Sequence, residues 1–301
     1  MDWFRIPVGA WVDGALDWAK DNLALFFDAV DTTFDWMVTS LTDLLLLIPA
    51  LALIVVFALI GWLLRSWQLA IGTVLSFLLI LGMDVWESAM QTLALVLVAA
   101  LIAVVIAVPL GILMARNSAA RAVLQPVLDF MQTMPAYVYL IPAIIFFGIG
   151  VVPGVVATII FSLPPGVRFT ELGIRGVDSE KVEAGHAFGA TPGQILRGIQ
   201  LPLAAPTIMG GINQVIMLSL SMAVIAGIAG ADGLGKDVVA AISTLNVPLG
   251  VEAGLGVVIL AIFLDRCTSA LGRPADYPHS LRALIGRRRA AQGAQPVPAN
   301  S

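Results

Sequence analysis

Between Thr92 and Ala115 the chain carries no charge, and almost every side chain is aliphatic. A hydrocarbon core about 30 Å thick needs about 20 apolar residues in a helix to cross it, so this run alone can span a bilayer. Six further apolar runs accompany it, at 44–64, 67–83, 124–149, 154–170, 203–229 and 251–271. Pro135 and Pro142 interrupt the run 124–149. The composition agrees: 59% of residues are hydrophobic and 12% charged, where soluble domains carry roughly 45–50% and 25%. The expectation is an all-α polytopic membrane protein with about seven transmembrane helices.

Cationic residues set the orientation, because cytoplasmic loops collect lysine and arginine. With alternating spans, Arg65, Arg116, Arg121, Arg168, Arg175, Lys181, Arg197, Arg266, Arg273, Arg282 and Arg287–Arg289 all fall on one side. Arg5, Lys20 and Lys236 fall on the other, with Asp84, Glu87 and Asp232. The N-terminus is therefore expected outside and the C-terminus inside. Residues 1–43 alternate acids (Asp13, Asp17, Asp21, Asp28, Asp31, Asp35) with aromatics such as Trp11, Trp18, Phe26, Phe27 and Trp36. This pattern predicts an amphipathic extension lying at the outer interface, and it does not resemble a cleavable signal peptide. Two peripheral spans (44–83), a core (84–275) and a basic, disordered cytoplasmic tail (276–301) complete the expected organisation.

One long polar segment, 179–202, interrupts the second half and reads as two short helices set at an angle. Ser179 is placed to cap the first helix, with Glu180 and Glu183 in its opening turns where negative charge is favoured. Gly189 is placed to end it. Thr191, Pro192 and Gln194 write a capping box for the second helix. Ile195, Leu196 and Ile199 give that helix an apolar stripe, Pro202 is expected to end it, and Ala184, Gly185 and Ala187 offer a small-residue face for a partner. On the arginine count this elbow lies in the cytoplasm.

The spacing of Glu183, Ala184, Gly189, Ile199, Leu201 and Pro202 resembles the signature cytoplasmic loop of bacterial ABC-importer permeases. In that family the loop is a coupling helix seated in a cleft of the ATP-hydrolysing subunit. Gly185 stands where the family pattern has alanine, which lowers helix propensity by about 1 kcal/mol. Residues 129–174 and 213–235 are similar to permeases of glycine betaine/proline betaine importers, and the similarity covers roughly 85–275. The resemblance implies a type I ABC importer permease fold in the bacterial inner membrane, used as a homodimer. It also implies two cytoplasmic ABC ATPase subunits that bind ATP and Mg, and a periplasmic substrate-binding protein. The implied solute is a small quaternary amine: glycine betaine first, then proline betaine, choline, carnitine or trimethylamine N-oxide. No cofactor is expected in the chain itself.

Polar residues within spans are costly and therefore functional candidates. Gln132, Thr133, Tyr137, Tyr139, Asn213, Gln214, Ser219 and Ser221 are candidates for the translocation path, and Tyr137, Tyr139, Phe146 and Phe147 offer aromatic faces to a quaternary ammonium. Asp129 is placed to pair with a nearby arginine or reach water, and Asp265 and Arg266 to snorkel. Gly230–Asp237 matches a phosphate-binding loop except at Asp237, which replaces the hydroxyl that would meet magnesium; a glycine-rich turn is expected instead. Gly250 and Gly254 permit close helix approach. One cysteine, Cys267, and two histidines, His186 and His279, exclude an internal disulfide and a cysteine- or histidine-rich metal site within one chain. Two other classes remain to be weighed. An ATP-independent channel or ion-coupled carrier would call for intramembrane charge pairs or inverted repeats, and an intramembrane enzyme for a convergent nucleophile and base. Neither accounts for the elbow.

Overall fold

The computed structural model describes residues 7–273 and 276–282, so the tail from 283 onward lies outside the described residues. Thirteen α-helices and no strands are found among the described residues. In chain order they are α1 (Val8–Asn22), α2 (Ala24–Leu47), α3 (Ala50–Leu64), α4 (Trp67–Gly82), α5 (Trp86–Arg116), α6 (Ser118–Thr133) and α7 (Ala136–Phe147). They continue with α8 (Val151–Arg175), α9 (Ser179–Ala187), α10 (Pro192–Ile195), α11 (Leu201–Ala226), α12 (Leu234–Thr244) and α13 (Val247–Gly272).

Four helices meet span length by themselves: α5, α8, the continuous rod Pro192–Ala229 and α13. Two further runs are bent. The run 124–149 breaks at Met134–Pro135, where α6 and α7 meet at 100°. Proline disfavours helical geometry in the residue before it, and Met134 is extended, at φ −74° and ψ 134°. The first expected run breaks in the same way at Ile48–Pro49, so residues 44–47 belong to α2, which meets α3 at 105°. The expected boundary at residue 43 thus falls inside a helix.

The long helix α8 is the centre of the molecule, packed against α5 on one side and α11 on the other. Small residues let the backbones approach. A Cβ built on Gly166 would lie 2.8 Å from Ala107 Cβ and 2.9 Å from Val215 Cγ2. One on Gly111 of α5 would lie 2.6 Å from the Val167 carbonyl of α8. The α3–α4 hairpin docks onto α13 through rings: Phe57, Phe77 and Phe263 have centroids 5.0–5.4 Å apart. The N-terminal extension is attached by Phe27 of α2, which stacks on Phe146 at 4.2 Å.

Candidate functional site

The elbow is built by local chemistry at three points. Asp178, rather than the expected Ser179, caps α9: its carboxylate accepts from the Glu180 N–H at 3.0 Å. Ser179 becomes the first helical residue, because aspartate one position earlier already satisfies an orphan donor. At the other end Gly189 adopts φ +78°. Its N–H donates to the His186 carbonyl at 2.9 Å, and the Ala190 N–H to the Gly185 carbonyl at 3.0 Å. These paired bonds form a Schellman motif, which requires the left-handed residue that glycine supplies cheaply. The capping box follows as expected: the Thr191 N–H donates to Gln194 Oε1 at 2.8 Å, and the Gln194 N–H to Thr191 Oγ1 at 3.4 Å.

The second helix does not end at Pro202. Residues Leu196–Gln200 form a π-helical turn, and Leu201 and Pro202 continue directly into α11. A proline ring presses on the carbonyl four residues back and leaves it unbonded; a widened turn is a known way to absorb this without breaking the rod. The elbow's second arm is thereby the end of a span.

Gly185 is buried, not presented to a partner. A Cβ there would lie 2.8 Å from Ile199 Cδ1 and 3.2 Å from Ile195 Cγ1, so its small size lets the two arms of the elbow touch. Glu183, Ala184, His186 and Ala187 are exposed. Sequence reasoning passed over Phe188, which is 93% exposed at the tip of the first arm. Its hydrophobicity next to the glycine stop was the available signal.

The root of the elbow holds a second feature that the sequence did not announce. Glu171 of α8 is 9% exposed. Its Oε1 lies 2.7 Å from Arg121 Nε of α6 and 3.4 Å from Arg175 Nη1, one turn further along α8. Asp129 near the other end of α6 pairs with Arg168 of α8. A buried carboxylate is tolerated only when paired, and here two guanidinium groups meet one.

The eight polar candidates divide by burial. Gln214 and Ser221 lie two turns apart on the exposed face of α11, and Gln132, Thr133 and Tyr137 are exposed around the α6–α7 break. Tyr139 and Ser219 face the interior, 6% and 0% exposed; the Tyr139 hydroxyl donates to the Met131 carbonyl. Asn213 turns toward α13, donating to Asp265 Oδ1 at 2.9 Å and accepting from Thr268. Asp265 is therefore held by a neighbouring span instead of snorkelling alone. Phe146 and Phe147 pack against the ring of Phe27.

The glycine-rich segment follows a helix, with no strand before it; Gly230–Gly233 form a turn and Leu234–Asp237 begin α12. Gly233, at φ +121°, sits with its would-be Cβ 2.5 Å from Thr92 Oγ1, which accepts from the Leu234 N–H at 2.8 Å. Lys236 donates to Asp232 at 2.6 Å. The hydrogen bond and charge of Asp232 raise the ammonium above its ordinary pKa. Gly250 approaches Ala241 of α12, whereas nothing lies near Gly254. No metal-binding cluster occurs among the described residues.

Residues 107–273 match the family described as binding-protein-dependent transport system inner membrane component. The chain belongs to that family. Glycine betaine/proline betaine transport system permease protein ProW of Escherichia coli is 47% identical over 268 residues, covering 89% of this chain and 76% of the relative. Glycine betaine transport system permease protein OpuAB of Bacillus subtilis is also 47% identical, over 88% of this chain and 94% of its own length. Trimethylamine N-oxide transport system permease protein TmoV of Ruegeria pomeroyi is 35% identical over 279 residues, 88% of this chain and 42% of that protein. A chain of the inward-facing MetNI methionine ABC transporter superposes with a TM-score of 0.59 at 22% identity, covering 63% of this chain and 95% of that one. The family model and these relatives make the chain an inner-membrane permease subunit of an ABC importer, in place of the channel and carrier readings, and the MetNI chain shares its fold.

Proposed function

We propose that this permease imports a small quaternary amine, glycine betaine first, by coupling ATP hydrolysis in a separate subunit to alternating access. The observation that carries the reading is mechanical: the elbow is fixed by a Schellman motif and a capping box, and its second arm is continuous with α11. A ligand-driven change in two ATPases can shift a two-state pathway only through a contact that differs between the states. The elbow is that contact, with Glu183, Ala184 and the tip residue Phe188 gripped from outside. Gly185, Gly189, Ile199, Leu201 and Pro202 hold its shape.

In this reading the N-terminus lies in the periplasm and the elbow in the cytoplasm, as the arginine distribution supports. Two copies of the chain enclose the path, two ATPases carry ATP and Mg, and a periplasmic binding protein delivers solute. Gln132, Thr133, Tyr137, Gln214 and Ser221 line the path; Tyr139 and Asn213 brace its walls through hydrogen bonds, and Ser219 only fills space behind them. Glycine betaine is favoured because 47%-identical relatives are named for it. Uptake of labelled glycine betaine, in cells expressing the chain with its ATPase and binding protein, tests the solute. Competition should be strongest from unlabelled glycine betaine. Uptake indifferent to every quaternary amine and to trimethylamine N-oxide would refute the assignment.

A further inference from the structure

Glu171 belongs neither to the elbow nor to the candidate path, yet it joins the parts of the molecule that lead to both. It lies on the last turns of α8, seven residues before the Asp178 cap that begins the elbow. Its partner Arg121 stands on the first turns of α6, behind the Asn117 cap that accepts from the Ala119 and Ala120 N–H groups. The second rung, Asp129 with Arg168, ties the far end of α6 to α8. The two rungs are unequal. Asp129 and Arg168 side chains are 54% and 38% exposed, and exposed pairs contribute little. Arg121 is 43% exposed but the Glu171 side chain only 11%, so one member of that pair is buried. Glu171 is the stronger tie, since losing a partner from a buried pair strands a charge.

What α6 carries gives this tie its consequence. Its C-terminal end bears Gln132 and Thr133, and two residues later the chain turns by 100° into α7 with Tyr137. The surface of α6 away from α8 exposes Val123, Val127 and Phe130. Its other face packs Leu124, Leu128 and Met131 into a cluster with Leu163 and Val167 of α8. Apolar contact is non-directional, so the ion pairs are what fix the register of α6 on α8.

We infer that Glu171 is a positioning residue that clamps α6 to the root of the elbow, so that elbow and α6–α7 break move as one body. The inference rests on the coupling role proposed above. When the elbow shifts, α8 carries Glu171, Glu171 carries Arg121, and the polar residues at the break follow. Without the clamp the ATPases still grip the elbow and still hydrolyse ATP, but the pathway side no longer tracks them.

The test uses the chain reconstituted with its ATPase and solute-loaded binding protein, and measures solute imported per ATP hydrolysed. Glu171→Gln is expected to lower that ratio by about 5-fold or more, the usual lower bound of an energetic coupling between sites, with hydrolysis itself retained. The double exchange Arg121→Glu with Glu171→Arg returns one carboxylate facing two guanidinium groups across the same contact, and should recover most of the ratio. A Glu171→Gln protein that couples like the wild type overturns the inference, and so does a double exchange no better than its single members. Should Glu171→Gln fail to fold, Arg121→Gln makes the same measurement from the half-exposed side of the pair. A structural readout separates this claim from the coupling reading itself. Spin labels at Val123→Cys and Ala187→Cys, in a Cys267→Ala background, should give a narrow distance distribution that broadens with Glu171→Gln. An unchanged distribution rejects the clamp even in a fully coupled transporter, and a wild-type complex without solute-stimulated hydrolysis rejects the coupling reading instead.

Discussion

Gly189 is the point where the elbow is most sensitive to one side chain. Its φ of +78° has open space around the position of a Cβ, so Gly189→Ala meets no steric clash and only the left-handed backbone cost, about 1–2 kcal/mol. That cost lowers the weight of the native elbow about 5- to 30-fold against its alternatives. Gly189→Pro cannot adopt the conformation at all, because proline holds φ near −65°. It also removes the N–H that donates to His186 at 2.9 Å, about 0.5–1.5 kcal/mol more, and disfavours the helical geometry of Phe188 before it. The expected series in reconstituted complexes is graded: wild type couples, alanine couples partly, and proline abolishes solute-stimulated hydrolysis and uptake. Thermal melting of the isolated chain should stay near wild type throughout, since α5, α8 and α11 pack without help from residue 189. A proline variant that imports solute at the wild-type ratio to ATP would refute the rigid-elbow argument.

Phe188→Ser should weaken binding of the ATPase subunit by about 10- to 100-fold, the value of burying one phenyl group, measured by titrating the ATPase against the chain in detergent. Gly185→Ala should be tolerated, because the closest atom it meets is the free end of Ile199, Ile195 Cγ1 at 3.2 Å need give by only a few tenths of an ångström, and the helix gains about 1 kcal/mol of propensity. Gly185→Leu should pry the arms apart and depress uptake; equal behaviour of the two would show that the arms need no close contact. Gln214→Leu should reduce uptake severalfold with ATPase binding intact. Ser219→Ala should be silent, since that buried hydroxyl has no hydrogen-bond partner.

Local signals in the sequence were legible where their chemistry is local. The capping box at Thr191 and the stop at Gly189 depend on residues within one turn, and both stand as read. Proline was ambiguous for the same physical reason that makes it informative. Pro49 and Pro135 turn the chain by about a right angle, whereas Pro202 is absorbed by a π turn and Pro164 and Pro165 stay inside α8. The residue before the proline marks the difference: Ile48 and Met134 are extended and Leu201 is helical. Asn213 and Gln214 are adjacent in sequence, but one bonds α13 and the other is exposed, because the phase of α11 against its neighbours is fixed only in the fold. Glu171 found its partner fifty residues away, beyond any local pattern.

The central claim is that this chain moves solute only as its elbow is driven. The direct measurement is solute accumulation and ATP hydrolysis in proteoliposomes that hold the chain with its ATPase and a glycine betaine-loaded binding protein. The account predicts accumulation that requires ATP, together with hydrolysis stimulated by the loaded binding protein. Solute movement by the chain alone, without ATP or ATPase, would contradict it.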